Sequence, residues 1–230
     1  MQRDKIHQEN KKKKIETEQE KRETHSMLLV SRIAFLYASL LATWSTCVSF
    51  MWNVKVWAPP LCFFSVSVVL FSIHVVGHFP IWKHWYQAHT LGHHVVAHPV
   101  QRFTAPLYST NVLDRYGLNR WLYIAAGSVT ALGSWFWLTE QRLVDLISLL
   151  VLPGIGMWFE EFIHREIHIQ KSSLERFDWF LELREYHRLH HLHKLCNFAA
   201  VGLYMDYLLQ TLRHPVVRGT KSADLPLNKQ

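Results

Sequence analysis

Little in this 230-residue chain serves the usual staples and fingerprints. It has three cysteines, Cys47, Cys62 and Cys196, an odd number that gives no disulfide framework. Its nine glycines include no Gly-rich dinucleotide fingerprint. No cleavable leader is evident, because about 26 polar residues precede the first apolar stretch, which reads as an uncleaved anchor. Mean hydropathy is near zero (-0.02) although 49% of residues are hydrophobic. That average conceals long apolar runs alternating with segments dense in charge and histidine. The net charge of +7 lies mostly in segments flanking those runs, which favours a membrane surface over nucleic acid as the partner.

Four apolar stretches are present, about 33–52, 60–78, 121–138 and 143–163. Each approaches the ~20 residues a helix needs to cross a bilayer. Trp52, Trp57, Trp121 and Trp137 sit near their ends, as interface residues do. Pro59 and Pro60 suit a helix start, and Pro153 with Gly154 and Gly156 suits a kink. Links at 53–56 and 139–142 are short enough for two tight hairpins. The expected fold is therefore an all-α integral membrane protein. Four transmembrane helices form two hairpins, and a helical cap holds a histidine-rich di-metal site. Residues 1–26 form a charged arm that reads as a solvated, frayed helix or disordered segment, 27–211 the membrane domain and 212–230 a tail. Lysine and arginine concentrate in the arm, in 79–120 and in 164–230, so the positive-inside rule puts both termini and the site in the cytoplasm.

Of 16 histidines, thirteen fall in 74–98 and 164–193, on the side reached after the second and fourth stretches. His74 and His78 are four apart, as are His164 and His168, a spacing that shares one helix face. His89, His93 and His94 follow the first pair, and His187, His190 and His191 follow the second. The same module thus occurs twice. Ten imidazoles exceed what one ion takes, and two ions with about five nitrogens each would keep an open position, whereas a closed structural zinc takes four ligands. Ligand type alone leaves Zn, Cu, Fe and Ni open. His7, His25 and His214 read as surface or interface residues. His84, His98 and His193 flank the clusters and read the same way, with hydrogen bonding to a ligand as their alternative role. Glu160, Glu161, Asp178, Glu182 and Glu185 are candidates to hold the second ring nitrogen of a ligand.

Two nearer motifs fail. In His164-Arg165-Glu166-Ile167-His168 the glutamate is one position too late for the zinc-protease pattern. Glu161-Phe162-Ile163-His164 is a single Glu-x-x-His, and soluble di-iron bundles need two plus further carboxylates.

The four boxes HVVGH (74–78), HTLGHH (89–94), HREIH (164–168) and HRLHH (187–191), with Asn197, Asp206 and Thr211 after them, resemble the fatty acid hydroxylase superfamily. That superfamily includes sterol desaturases and lipid and carotenoid hydroxylases. The resemblance spans about 74–211. It departs in having three residues before the second doublet where many members have two, and Gln210 where a glycine is usual. The resemblance implies two Fe ions, with Zn as a substitute in purified protein, held by His74, His78, His89, His93, His94, His164, His168, His187, His190 and His191. It also implies O2 as co-substrate and hydroxylation or desaturation of an unactivated C–H bond in a fatty acyl chain, sterol or carotenoid. The chain has no electron carrier and no cytochrome b5-like His-Pro-Gly-Gly, so an external donor is expected, cytochrome b5 or a ferredoxin with its reductase. The expected location is the endoplasmic reticulum or a bacterial inner membrane. The alternatives are a histidine-rich metal-binding membrane protein or transporter, whose ligands would lie midway through the spans. A zinc-dependent membrane hydrolase is another, as is a haem protein with paired axial histidines.

Overall fold

A computed structural model describes residues 2–108 and 118–215. Residues 109–117, most of the expected tail and most side chains of the N-terminal arm lie outside the described residues. The described residues are helical, with one isolated parallel bridge and no strand. The long helices are α1 (Gln2–Trp52), α2 (Ala58–Val76), α4 (Leu118–Leu138), α5 (Leu143–Ile167) and α6 (Asp178–His193). Two short ones, α3 (Lys83–Tyr86) and α7 (Leu203–Leu208), complete the set. A π-helix, Gln87–Ala97, follows α3 directly.

Three helical segments are long and apolar enough to cross a membrane: Met27–Trp52, Ala58–Val76 and Leu143–Ile167. The expected third stretch forms a shorter apolar helix, Leu122–Leu138. The four-span expectation is thus met by three segments on length and composition. The first is also longer than the sequence suggested, because α1 is one continuous helix into which the charged arm runs. These helices leave most of their apolar surface uncovered, with Phe50 92% and Trp137 81% exposed. In water such a surface would cost about 25 cal/mol per Å2, so a hydrocarbon surrounding is the consistent one.

Helix α2 starts with prolines in its first turn, where a missing N–H costs nothing. It packs on α4 and α5 through a core of Ala58, Cys62, Val66, Ala131 and Leu149. At the same end, Arg142 donates to Asp145 at 2.8 Å and to the carbonyls of Trp52 and Asn53. One side chain thereby ties the two links together. A second core, including Ile163, Ile167, Phe180, Leu183 and Tyr186, fastens α6 across the other end of α5. The histidines lie at that second end.

Candidate metal centre

The ends of α2 and α5 supply the first histidine pair of each module. His74 lies in the last turn of α2, and His78 follows where Gly77 caps the helix. His164 lies in the last turn of α5 and His168 caps it. Gly77 is needed as glycine: a Cβ there would stand 2.6 Å from the indole nitrogen of Trp85, which donates to the Ile73 carbonyl at 2.8 Å.

The second box lies in the π-helix. An α-helix would turn His94 well away from His89, five residues earlier. A π-helix, with i→i+5 hydrogen bonds, brings residues i, i+4 and i+5 to one face. His89, His93 and His94 are all buried there. The extra residue before the doublet is therefore accommodated by the local winding. In α6 ordinary α spacing aligns His187, His190 and His191 on the buried face.

All ten expected ligands converge. One group is His74, His78, His89, His94 and His190; a second is His93, His164, His168 and His187; and His191 joins His93 and His94 in a third. Within each group the ligating atoms lie within 4.8 Å of one another. His191 also reaches the second group, its Nε2 being 3.2 Å from that of His187. The arrangement is thus a group of five and a group of four, with His191 between them, its ring stacked 4.0 Å from that of His94 where the groups meet.

The contacts between ring nitrogens identify what the groups can hold. His187 Nε2 lies 3.1 Å from His164 Nε2 and 3.2 Å from those of His168 and His191. His168 Nδ1 donates to the Phe103 carbonyl at 3.0 Å, and His191 Nδ1 to the His98 carbonyl at 2.8 Å. A carbonyl only accepts, so in the neutral ring each proton is on Nδ1 and each Nε2 presents a bare lone pair. His187 can offer one proton to at most one of them. Lone pairs crowded this closely repel unless a cation lies between. The other group repeats the pattern: His89 Nε2 is 3.1 Å from His78 Nε2 and 3.2 Å from His94 Nε2. There His190, whose Nδ1 donates to the Cys196 carbonyl at 2.8 Å, meets His74 Nε2 at 3.2 Å. Two nitrogens each about 2.1 Å from one ion and at right angles stand about 3.0 Å apart, so these spacings suit neighbouring ligands. His93 Nε2 is buried with no hydrogen-bond partner among the described residues, a further atom that a metal would satisfy.

No family model, curated protein or solved structure matches the chain. The centre therefore stands on its own geometry: a buried histidine cluster able to hold metal, in a chain with three helices long and apolar enough to cross a membrane.

The groups that aim the ligands differ from those expected. The three ring protons above are taken by main-chain carbonyls. Glu160 accepts instead from the Gly202 N–H, and Glu185 from Arg188. Two short segments position the Phe103 and Cys196 carbonyls. Residues 103–105 are held by Ala105, whose N–H donates to the His168 carbonyl at 2.9 Å and whose carbonyl accepts from Gln170 at 2.8 Å. Residues 196–199 are held by Asp206, which accepts the N–H groups of Phe198 and Ala199, each at 2.8 Å, and the Thr211 hydroxyl at 2.6 Å. Asn197, at positive φ, bridges Tyr186 and Arg213. Gln210, with φ 58°, occupies the left-handed conformation that a glycine takes without strain.

His84 and His193 are exposed, as a surface role requires. His98 is fully buried and stacks 3.9 Å from the His168 ring, so the surface reading fails for it. Its place is fixed by the end of the π-helix, a feature the sequence pattern does not announce. His214 is also engaged, its Nδ1 2.9 Å from the Tyr186 hydroxyl.

Burial, followed by the neighbouring imidazoles, holds His89, His93, His94, His168 and His187 well below the ordinary imidazole value. Burial, then the Lys194 charge, takes His78 from 6.5 down to about 4. They are neutral at pH 7, ready to bind. The sign of the pH dependence follows. Above pH 6.5 these rings are neutral in both folded and unfolded chains and contribute no slope. Below it the unfolded chain takes up protons that the folded chain refuses, so stability falls towards pH 4. Chelator-treated protein in detergent is expected to show a steady loss of thermal midpoint from pH 6.5 to pH 5. A flat profile there would show that the rings are not buried as neutral groups.

Proposed function

We propose that the protein is a membrane-bound non-haem di-iron oxygenase that hydroxylates or desaturates an unactivated C–H bond of a lipid. The observation that supports this most is the convergence of ten imidazoles into two adjoining groups, bridged by His191, beside a largely apolar cavity. The cavity, about 700 Å3, is walled by α2, α4 and α5 and reaches His74, His89, His93 and His164. That volume lies within the range of small-molecule sites. The order of the histidine boxes, which resembles the fatty acid hydroxylase superfamily, points the same way.

Five imidazoles per ion leave a six-coordinate metal one position for a small molecule, which a closed four-ligand zinc lacks. Two bound irons would supply the activation of O2 needed to attack an unactivated C–H bond. The chain's own residues do the rest. The ten histidines bind, and the carbonyls of Phe103, His98 and Cys196 fix which nitrogen does so. Phe71 and Phe198 pack edge to face 5.7 Å apart beside His74 and help exclude water. The helix ends that carry the site lie away from the links at 53–57 and 139–142. In this reading α4 is the fourth span, the layout is two hairpins, and the site and both termini face the cytoplasm. Electrons then arrive from an external carrier while the lipid enters from the bilayer.

Elemental analysis of the purified full chain tests the reading. About two irons per chain, with O2-dependent oxidation of added lipid when a reductase is supplied, is the expected result. Zinc at two per chain would call for reconstitution with Fe(II) and the same assay. A single zinc, or no metal after iron loading, would sink it.

A further inference from the structure

The cavity is not apolar throughout. At its far end it is walled by Phe63, Pro153 and Met157, and at its near end by histidines. Between them lie Glu160, Tyr37, Tyr123, Tyr204 and Ser67. Glu160 is one helical turn before His164, about 6 Å along the axis. Its Oε1 accepts the Gly202 N–H at 3.1 Å. Gly202 permits this approach, since a Cβ there would itself stand 3.1 Å from Oε1. Oε2 has no hydrogen-bond partner among the described residues. Across from it the Tyr204 hydroxyl reaches Ser67 Oγ at 3.5 Å, and Tyr37 and Tyr204 meet edge to face at 5.8 Å.

A carboxylate within a membrane-spanning helix is costly, and one oxygen tied to a backbone N–H leaves the other to be satisfied. When ionised, that oxygen only accepts, whereas a protonated one would donate to an ether as readily as to an alcohol. An unsubstituted chain filling the cavity would give it nothing. We infer that Glu160 is a specificity-determining residue that accepts a hydrogen bond from a hydroxyl carried by the lipid, roughly one helical turn from the carbon presented to the histidines. This rests on the lipid-oxidation reading and narrows its substrate to hydroxyl-bearing lipids. Such a hydroxyl could sit on a sterol or on a linear chain.

Equilibrium binding to the full, metal-bound chain in detergent separates these cases and needs no turnover. The probes are tritiated hexadecan-1-ol against its methyl ether, and cholesterol against its methyl ether. Within each pair a methyl group replaces the hydroxyl proton. At least one alcohol is expected to bind tenfold or more tightly than its ether, and the pair that shows this names the source. In Glu160→Gln the amide oxygen keeps the Gly202 N–H and the NH2 group replaces Oε2. That donor serves an ether as readily as an alcohol, so the ratio should fall close to one while metal content stays at the wild-type level. Equal binding of alcohol and ether in both pairs overturns the inference, as does a preference that survives Glu160→Gln, or no binding of any probe. Because the metal content is read on the same samples, a failure of the metal centre is seen separately.

Discussion

Replacing His190 or His191 with alanine is expected to abolish activity and lower metal content. His190 Nε2 meets His74 in one group, and His191 Nε2 meets His187 in the other. Each substitution removes one nitrogen from the cluster and leaves a carbonyl, of Cys196 or His98, without its ring donor. Loss of a buried partner costs about 1–3 kcal/mol in addition to the lost metal bond. His84→Ala and His193→Ala, on exposed side chains, should change neither quantity. His214 is a poor control, because its ring contacts the Tyr186 hydroxyl one residue before His187. Metal per chain, measured beside activity, decides the matter. Full occupancy in either the His190 or the His191 variant would show that the ligand set is wrong.

The second large effect is expected far from any ligand. Asp206 is fully buried and touches no histidine ring in the contacts described, yet it anchors the loop whose Cys196 carbonyl aims His190. Burial raises its pKa, while Thr211, Ala199 and Phe198 donate to the ionised form and oppose the rise. Asp206→Ala removes three hydrogen bonds at once and leaves two N–H groups unserved, that of Phe198 buried and that of Ala199 partly buried. A loss of about 3 kcal/mol or more is expected, since bonds to a charged acceptor contribute about 1.5–3 kcal/mol each. Asp206→Asn should do less harm: one oxygen is kept, and its amide nitrogen must face an N–H. Thermal midpoint and metal content should fall together in the order wild type, Asn, Ala. A variant that lost stability while keeping all its metal would detach the loop from the orientation of His190.

The histidine cluster was legible because the information lies in side-chain spacing. His74 with His78, and His164 with His168, fall one helical turn apart, and the sequence states that directly. The second box was legible as histidines and not as geometry. Only a change of winding brings His89 and His94 together, and no periodicity in Gln87–Ala97 marks it. The bonds that aim the rings were illegible for a different reason. Acidic residues were the visible candidates, but the acceptors used are carbonyls, which every residue has. His98 was named only for an alternative role in hydrogen bonding, and its backbone oxygen, which makes that bond to His191, was hidden in the same way. The candidate membrane helices followed from apolar length at Ala58–Val76 and Leu143–Ile167. The limits of the first and third stretches did not, because a helix continues into polar sequence as readily as into apolar.

The carbonyls that aim His168, His190 and His191 have a consequence for any mutational survey of this chain. Substituting Phe103, Cys196 or His98 changes a side chain and leaves the oxygen where it was. A residue-by-residue scan would therefore score these positions by bulk and packing and pass over their part in orienting the rings. The hidden dependence would surface only when the path of the main chain is altered, by proline, by an inserted residue, or by cutting the Ala105 or Asp206 tethers.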